Sequence, residues 1–363
     1  MKKLILILVI ILITKGAFSQ TPPNIKYYGK DFFLIEGTTI PESEKESPYD
    51  RLPASYKEKV RPPVWSLSKS SAGISVRFLS NSTAIRVKWE LLNDEKMNHM
   101  AETGIKGIDL YCKTDKGWQY INTGRPAGKV NEAPLITNMP AEMKEYKMYL
   151  PLYDGVTSLQ VGIDSNSEIK KPERNPKKPI VFYGTSITQG GCASRPGMAH
   201  TNIISRRLNT DCVNLGFSGN GRMERPVVEV ISGIDAMFYV IECVPNMQPA
   251  EVEKNVIPLV EILRSKHAST PIVFIEGTFY EKSFFDDSVK NKIIEKNKIL
   301  RSEYDKMVKS GIKNIFYVEF DNAIGNDHEA TVDGVHYTDL GFLRYADFLL
   351  LKFKKLKLIK VSN

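Results

Sequence analysis

The chain has 363 residues, 42% of them hydrophobic and 25% charged, with a formal net charge of +8. That length exceeds the ~250 to 300 residues at which single cores stop growing, so two domains are expected, and the composition excludes a disordered or fibrous chain. Lysine and arginine are scattered among acidic residues, which argues for a solvated surface and against nucleic acid as the partner.

At the start, Met1-Lys2-Lys3 precedes an apolar run from Leu4 to Ile13 and then Ala17-Phe18-Ser19. This is the pattern of a secretory signal over residues 1–19, with the mature chain beginning at Gln20. The run is too short for a membrane span, which needs about 20 apolar residues, and Lys15 interrupts it. No cysteine follows before Cys112, so a lipid-modified cysteine is not available. The expected product has no stable membrane insertion and works in the periplasm or outside the cell. Cys112, Cys212 and Cys243 lie in or beside apolar runs and Cys192 in a glycine-rich loop, which favours free thiols.

Residues 20–170 carry short runs with period-two alternation, among them Ala72–Phe78, Thr83–Trp89, Gly107–Lys113, Trp118–Asn122, Tyr146–Leu150 and Ser158–Ile163. No convincing amphipathic helix separates them, and an antiparallel β-sandwich is predicted. Ser165 to Lys178 has no apolar period and reads as a linker. From 176 to 358 the pattern changes to strand, helix, strand, helix. Strands are predicted at Pro179–Tyr183, Cys212–Leu215, Ala236–Glu242, Pro271–Glu276 and Asn314–Val318, with helices at Ala199–Leu208, Val227–Ile231, Glu251–Lys266, Val289–Lys309 and Leu340–Lys354. Such alternation gives an α/β domain with a parallel sheet covered on both faces.

Ligands of open parallel sheets bind beyond the carboxyl ends of the strands. There the sequence places Gly184-Thr185-Ser186-Ile187-Thr188, then Asn214-Leu215-Gly216-Phe217-Ser218-Gly219, then Cys243-Val244-Pro245-Asn246-Met247, and Asp333-Gly334-Val335-His336 before the last helix. A nucleophilic serine needs an imidazole to take its proton, an acceptor for the other ring nitrogen, and fixed N–H donors for the oxyanion. Ser186, His336 and Asp333 supply the first set; the Ser186 amide, Gly219 and the Asn246 side chain supply the second. Taken singly, each loop is also ordinary turn or cap chemistry.

The four blocks in this order resemble the SGNH (GDSL-like) hydrolase family. The resemblance implies a flavodoxin-like hydrolase domain with Ser186 as nucleophile, His336 and Asp333 completing the triad, and Ser186, Gly219 and Asn246 forming the oxyanion hole. Thr185 stands where aspartate is frequent in that family, and Pro245-Asn246 replaces the usual Gly-x-Asn-Asp. Upstream, Gly107-Ile108-Asp109-Leu110-Tyr111 resembles the Gly-x-Asp-Leu-Tyr signature of the jelly-roll-like sandwich domains that precede such hydrolases, and family two of the carbohydrate esterases has a comparable layout.

Asp109 and Tyr111 are expected to be structural, and His99, on a loop, to be a surface residue, with a place facing the active site as the alternative. Arg195, Met247 and Tyr280 are candidates to line the substrate pocket. His328 lacks a partner at metal-ligand spacing, and no metal or organic cofactor is required. The expected activity is hydrolysis of a small, acetyl-like ester on a glycan or an acylated small molecule. The alternatives are a lipid or long-acyl esterase and a non-catalytic glycan-binding protein on a hydrolase fold.

Overall fold

The computed structural model describes residues 24–360. The signal expected over 1–19 lies outside the described residues. No helix among the described residues is long and apolar enough to cross a membrane.

The N-terminal half contains ten strands: β1 (Ile25–Tyr28), β2 (Leu34–Glu36), β3 (Ser75–Ser80), β4 (Ile85–Leu91), β5 (Ile108–Thr114), β6 (Gly117–Gly124), β7 (Val130–Ile136), β8 (Lys144–Tyr149), β9 (Val156–Asp164) and β10 (Ile169–Lys170). They form two antiparallel sheets, ordered β1-β9-β4-β7 and β10-β3-β8-β5-β6, with β2 also on β3. Alternation sets the inner faces. Ile85, Val87, Trp89 and Leu91 of β4 meet Val76 and Phe78 of β3, Ile108 and Leu110 of β5 and Tyr146 and Met148 of β8 in one core. The same alternation turns Asp109 and Tyr111 to the outer face of β5.

Two expectations need correction. The sandwich half does contain helices, α1 (Pro62–Ser68) and α2 (Glu102–Lys106). Both are too short to show a helical period in the sequence, and α1 is started by its leading prolines. The linker also carries β10, which pairs with Ser80 and Leu79 of β3.

The C-terminal half alternates β11 (Ile180–Gly184), α3 (Ser186–Gln189), α4 (His200–Leu208), β12 (Cys212–Gly216), α5 (Arg225–Ile231), β13 (Phe238–Glu242), α6 (Pro249–Lys266), β14 (Ile272–Ile275), α7 (Asp287–Lys309), β15 (Ile315–Val318) and α8 (Asp339–Lys355). The sheet is parallel, in the order β12-β11-β13-β14-β15. This is the flavodoxin-like order, whose switch point falls between β11 and β13. Val181 and Tyr183 face α5, α6 and α7, while Ile180 and Phe182 face α4 and α8, so each strand is apolar on both sides.

The halves share these cores. Leu52, Val60 and Val64 complete the layer on one face of the parallel sheet, and Ala72, Met100, Ile105, Leu152 and Tyr153 complete the layer on the other. Between them lies Arg51, 3% exposed. Its guanidinium donates to Leu67 O (2.6 Å), Ser70 O (2.8 Å), Asn214 O (3.2 Å) and Gly216 O (2.6 Å) and lies over the Phe217 ring. Burial pushes it down to about 9, so it remains charged at neutral pH. All four cysteines are free thiols.

Arg51→Met would leave four carbonyls without their donor, each unmade bond costing about 1 to 3 kcal/mol, partly offset by relief of the buried charge. Urea unfolding should show a loss of about 3 kcal/mol or more; a midpoint unchanged from the parent chain would contradict the role given to this residue.

Candidate active site

Strand β11 ends in a sharp turn into the four-residue helix α3. Thr185 is its N-cap: its hydroxyl accepts from Ile187 N, and its own N–H donates to Thr188 Oγ1 at 3.2 Å. This reciprocal cap puts Ser186 at the first helical position, 7% exposed. Thr188 in turn donates to Glu242 Oε2 at 2.9 Å, and Tyr345 donates to Glu242 Oε1 at 2.5 Å. His200 Nε2 lies 3.4 Å from Glu242 Oε2, close enough for charge but not aligned as a hydrogen bond. Burial alone would raise the Glu242 carboxyl; His200, Tyr345 and Thr188 outweigh it and hold the group below its ordinary value.

The loop before α8 closes tightly because Gly334 adopts φ +85°. Asp333 Oδ1 accepts from Val335 N (3.0 Å) and His336 N (2.8 Å), while Oδ2 meets His336 Nδ1 at 2.7 Å. His336 Nε2 faces Ser186 Oγ at 2.9 Å. Residues 150 positions apart are thus joined in one hydrogen-bonded line. Against the cost of burial, the N–H donors and the imidazole hold Asp333 below its ordinary value, which keeps it an acceptor.

Gly219 sits at φ +68°, and a Cβ placed there would meet nothing within 4 Å, so its backbone faces open space. Its loop is set by Ser218 N donating to Gln189 Oε1 at 3.0 Å, while Gln189 Nε2 donates to Leu152 O of the sandwich half. Asn246 Oδ1 accepts from Gly221 N at 3.3 Å, which commits the oxygen of that amide and leaves its NH2 as donor.

The structure therefore brings Ser186, His336 and Asp333 into contact, with Gly219 and Asn246 in the two loops that flank β11. The three candidate lining residues have different surroundings. Arg195 donates to Asp109 (2.7 Å) and to the Tyr111 hydroxyl (2.6 Å), so its charge is committed to the junction between the halves. Asp109 also accepts from Gly197 N and Thr123 Oγ1, which makes the signature aspartate a clamp on the hydrolase half as well as a sandwich residue. The Met247 side chain is buried in the core beneath its loop. Tyr280 is half-buried in the segment whose next residue, Glu281, donates its N–H to Gly334 O at 2.9 Å.

Three further residues border the site. Glu242 closes an apolar strand, where a lone carboxylate could have been noticed. His99, exposed as expected, nevertheless places its ring 5.8 Å from that of His336. Cys192 has φ +72°, and burial, with the nearby Asp333 charge, pushes its thiol up to about 12, so it stays protonated.

A serine, an imidazole and a carboxylate thus stand in line at the switch point of a flavodoxin-like sheet, the set of groups that serine hydrolases use. A profile of the GDSL-like lipase/acylhydrolase family matches residues 177–354, and one described as the N-terminus of SGNH-hydrolase-type esterases, GxDLY, matches 25–169. The chain is 35% identical to a protein from Bacteroides ovatus described as a GDSL-like lipase, with 94% of this chain and 100% of that one covered and a TM-score of 0.89. The chain belongs to the GDSL-like lipase/acylhydrolase family and is an ester hydrolase. It shares its fold with a salicylyl-acyltransferase from a tetracycline biosynthetic pathway (15% identity, 93% and 99% coverage, TM-score 0.78). The fold is also that of a family two carbohydrate esterase from Cellvibrio japonicus (11% identity, 92% and 98% coverage, TM-score 0.61). A comparison with curated proteins returns no match.

Thr188→Val keeps the side-chain shape but removes the hydroxyl shared by Thr185 N–H and the buried Glu242. Thermal unfolding should report a loss of about 1 to 3 kcal/mol; a loss below about 0.5 kcal/mol would mean that Glu242 does not anchor the Ser186 turn.

Proposed function

We propose that this protein removes small acyl groups, acetyl foremost, from a carbohydrate, using Ser186, His336 and Asp333. The observation that carries the reading is the hydrogen-bonded line from Ser186 Oγ through His336 to Asp333, at 2.9 and 2.7 Å.

In this scheme Ser186 Oγ attacks the ester carbonyl while His336 Nε2 takes its proton. Asp333 holds Nδ1–H, fixing the tautomer and supporting the imidazolium that forms. The oxyanion is received by the amides of Ser186 and Gly219 and by Asn246 Nδ2; the open face of Gly219 and the fixed Asn246 oxygen support that assignment. The imidazolium then gives its proton to the departing sugar hydroxyl. Water, deprotonated by His336, releases the acid from Ser186 and restores the enzyme. The carbohydrate is suggested by the layout shared with the family two carbohydrate esterases, and the secretory pattern of residues 1–19 supports a substrate outside the cytoplasm. The scheme uses no cofactor.

A second reading, cleavage of longer acyl chains, draws on a cavity of about 510 Å³ beside the His336 loop, lined in part by Phe279, Phe284, Phe320 and Ile324. A chain-length series of nitrophenyl esters separates the two. The acetyl reading expects kcat/KM to fall from acetate onward, whereas a maximum at eight carbons or more would replace it.

Ser186→Ala should lower hydrolysis of acetyl esters by several orders of magnitude and abolish labelling by a fluorophosphonate probe. Asn246→Ala should lower kcat by about 10²- to 10³-fold with little change in KM, as loss of one oxyanion donor does. Acetate release from acetylated glycans that persists in the Ser186 variant would rule the scheme out.

A further inference from the structure

His99, Cys192 and His336 each offer a ligand atom within 4.8 Å of the others. They come from three separately anchored segments. The loop carrying His99 is held by Asp154, whose carboxylate accepts from Asn93 N, Asp94 N and Glu95 N at 2.8 to 3.0 Å, and by the buried Met100. The Cys192 turn is held at Ser194, whose N–H and hydroxyl donate to Asp339 and whose carbonyl accepts from Thr103 Oγ1 at 2.6 Å. His336 is fixed by Asp333.

The two rings have the same outer arrangement. His99 Nδ1 lies 3.0 Å from Asn98 Oδ1, and His336 Nδ1 lies 2.7 Å from Asp333 Oδ2. In each, an oxygen engages Nδ1 and leaves Nε2 as the coordinating nitrogen, the backing usual for metal-bound histidine. Two imidazoles and one thiol select a borderline-soft divalent cation of the zinc class over magnesium or calcium. Bonds of about 2.0 to 2.3 Å put zinc ligands roughly 3.3 to 3.8 Å apart, so the cluster must close by about 1 Å. The exposed His99 side chain is free to supply that movement.

We propose that His99, Cys192 and His336 form a zinc-class metal site that holds the enzyme inactive when occupied. Coordination displaces the Cys192 thiol proton to solvent and takes the Nε2 lone pair of His336. This consequence for activity rests on the assignment of His336 as the base that accepts the Ser186 proton. The remaining coordination position is open to water or to Ser186 Oγ.

The test uses the full mature chain, zinc and cobalt(II) as probes, and the variants His99→Ala and Cys192→Ser, neither of which belongs to the proposed catalytic machinery. Calorimetry should show one zinc bound per chain. Cobalt(II) should give a thiolate charge-transfer band that Cys192→Ser abolishes. Each variant should bind at least 10- to 100-fold more weakly, a fall no smaller than that caused by loss of a group that only hydrogen-bonds a metal ligand. Zinc should suppress ester hydrolysis by the parent chain, a chelator should restore it, and both variants should keep their activity at the same zinc concentration. Binding or inhibition equal in parent and variants overturns the proposal, as does a parent chain that takes up no zinc. A chain that binds metal through these residues but never hydrolyses esters would uphold the site and remove the esterase scheme. One that hydrolyses esters but takes up no metal would do the reverse.

Discussion

The structure depends on a buried guanidinium. Arg51 spends its donors on carbonyls of its own segment and on the carbonyls at the end of β12, where the Gly219 loop begins. A charge removed from water in this way is tolerated only if its hydrogen bonds are made, so the segment and the strand end must keep their relative position for either to be stable. The Arg195 clamp does the same on the other side, through Asp109 and Tyr111. The two halves are therefore not beads on a linker: residues 51 to 72 and 100 to 105 complete both apolar layers of the parallel sheet.

This mutual packing ties the site together at several points. The Ser186 turn is capped by Thr185 and Thr188, tied by Thr188 to Glu242, and tied by Gln189 to both the Gly219 loop and the sandwich half. Each tie ends on a buried or backbone group, so the position of Ser186 is over-determined. Electrostatic catalysis needs this order, because donors that must reorient during the reaction lose most of their advantage.

Much of this was legible in the sequence. Switching from period two to alternating strand and helix separated the halves, and the five continuous apolar runs of the second half appear as the five parallel strands. Ser186, Asp333 and His336 could be picked out because residues following parallel strands converge at one edge of the sheet. Pairings across the halves were not legible. Nothing near Asp109 in sequence says that its partner is Arg195, and nothing near Met247 says that its side chain turns down into the core. The helices α1 and α2 were missed because five to seven residues hold too few turns to show a period. His99 was expected at the surface, with a place facing the active site as the alternative, and it is exposed with its ring beside that of His336.

The sandwich half thus acts on the site at two levels. Through Arg51, Leu152 and Tyr153 it fixes the hydrolase loops from beneath. Through the Asn93–Met100 loop it reaches over them, so that an imidazole from one half stands beside the imidazole of the other. The loop that carries this exposed histidine is held upstream, where Asn93, Asp94 and Glu95 give three backbone hydrogen bonds to the buried Asp154 carboxylate. Ordering that loop costs conformational entropy, which the junction's packing must offset, and the position it secures puts the His99 ring 5.8 Å from that of His336.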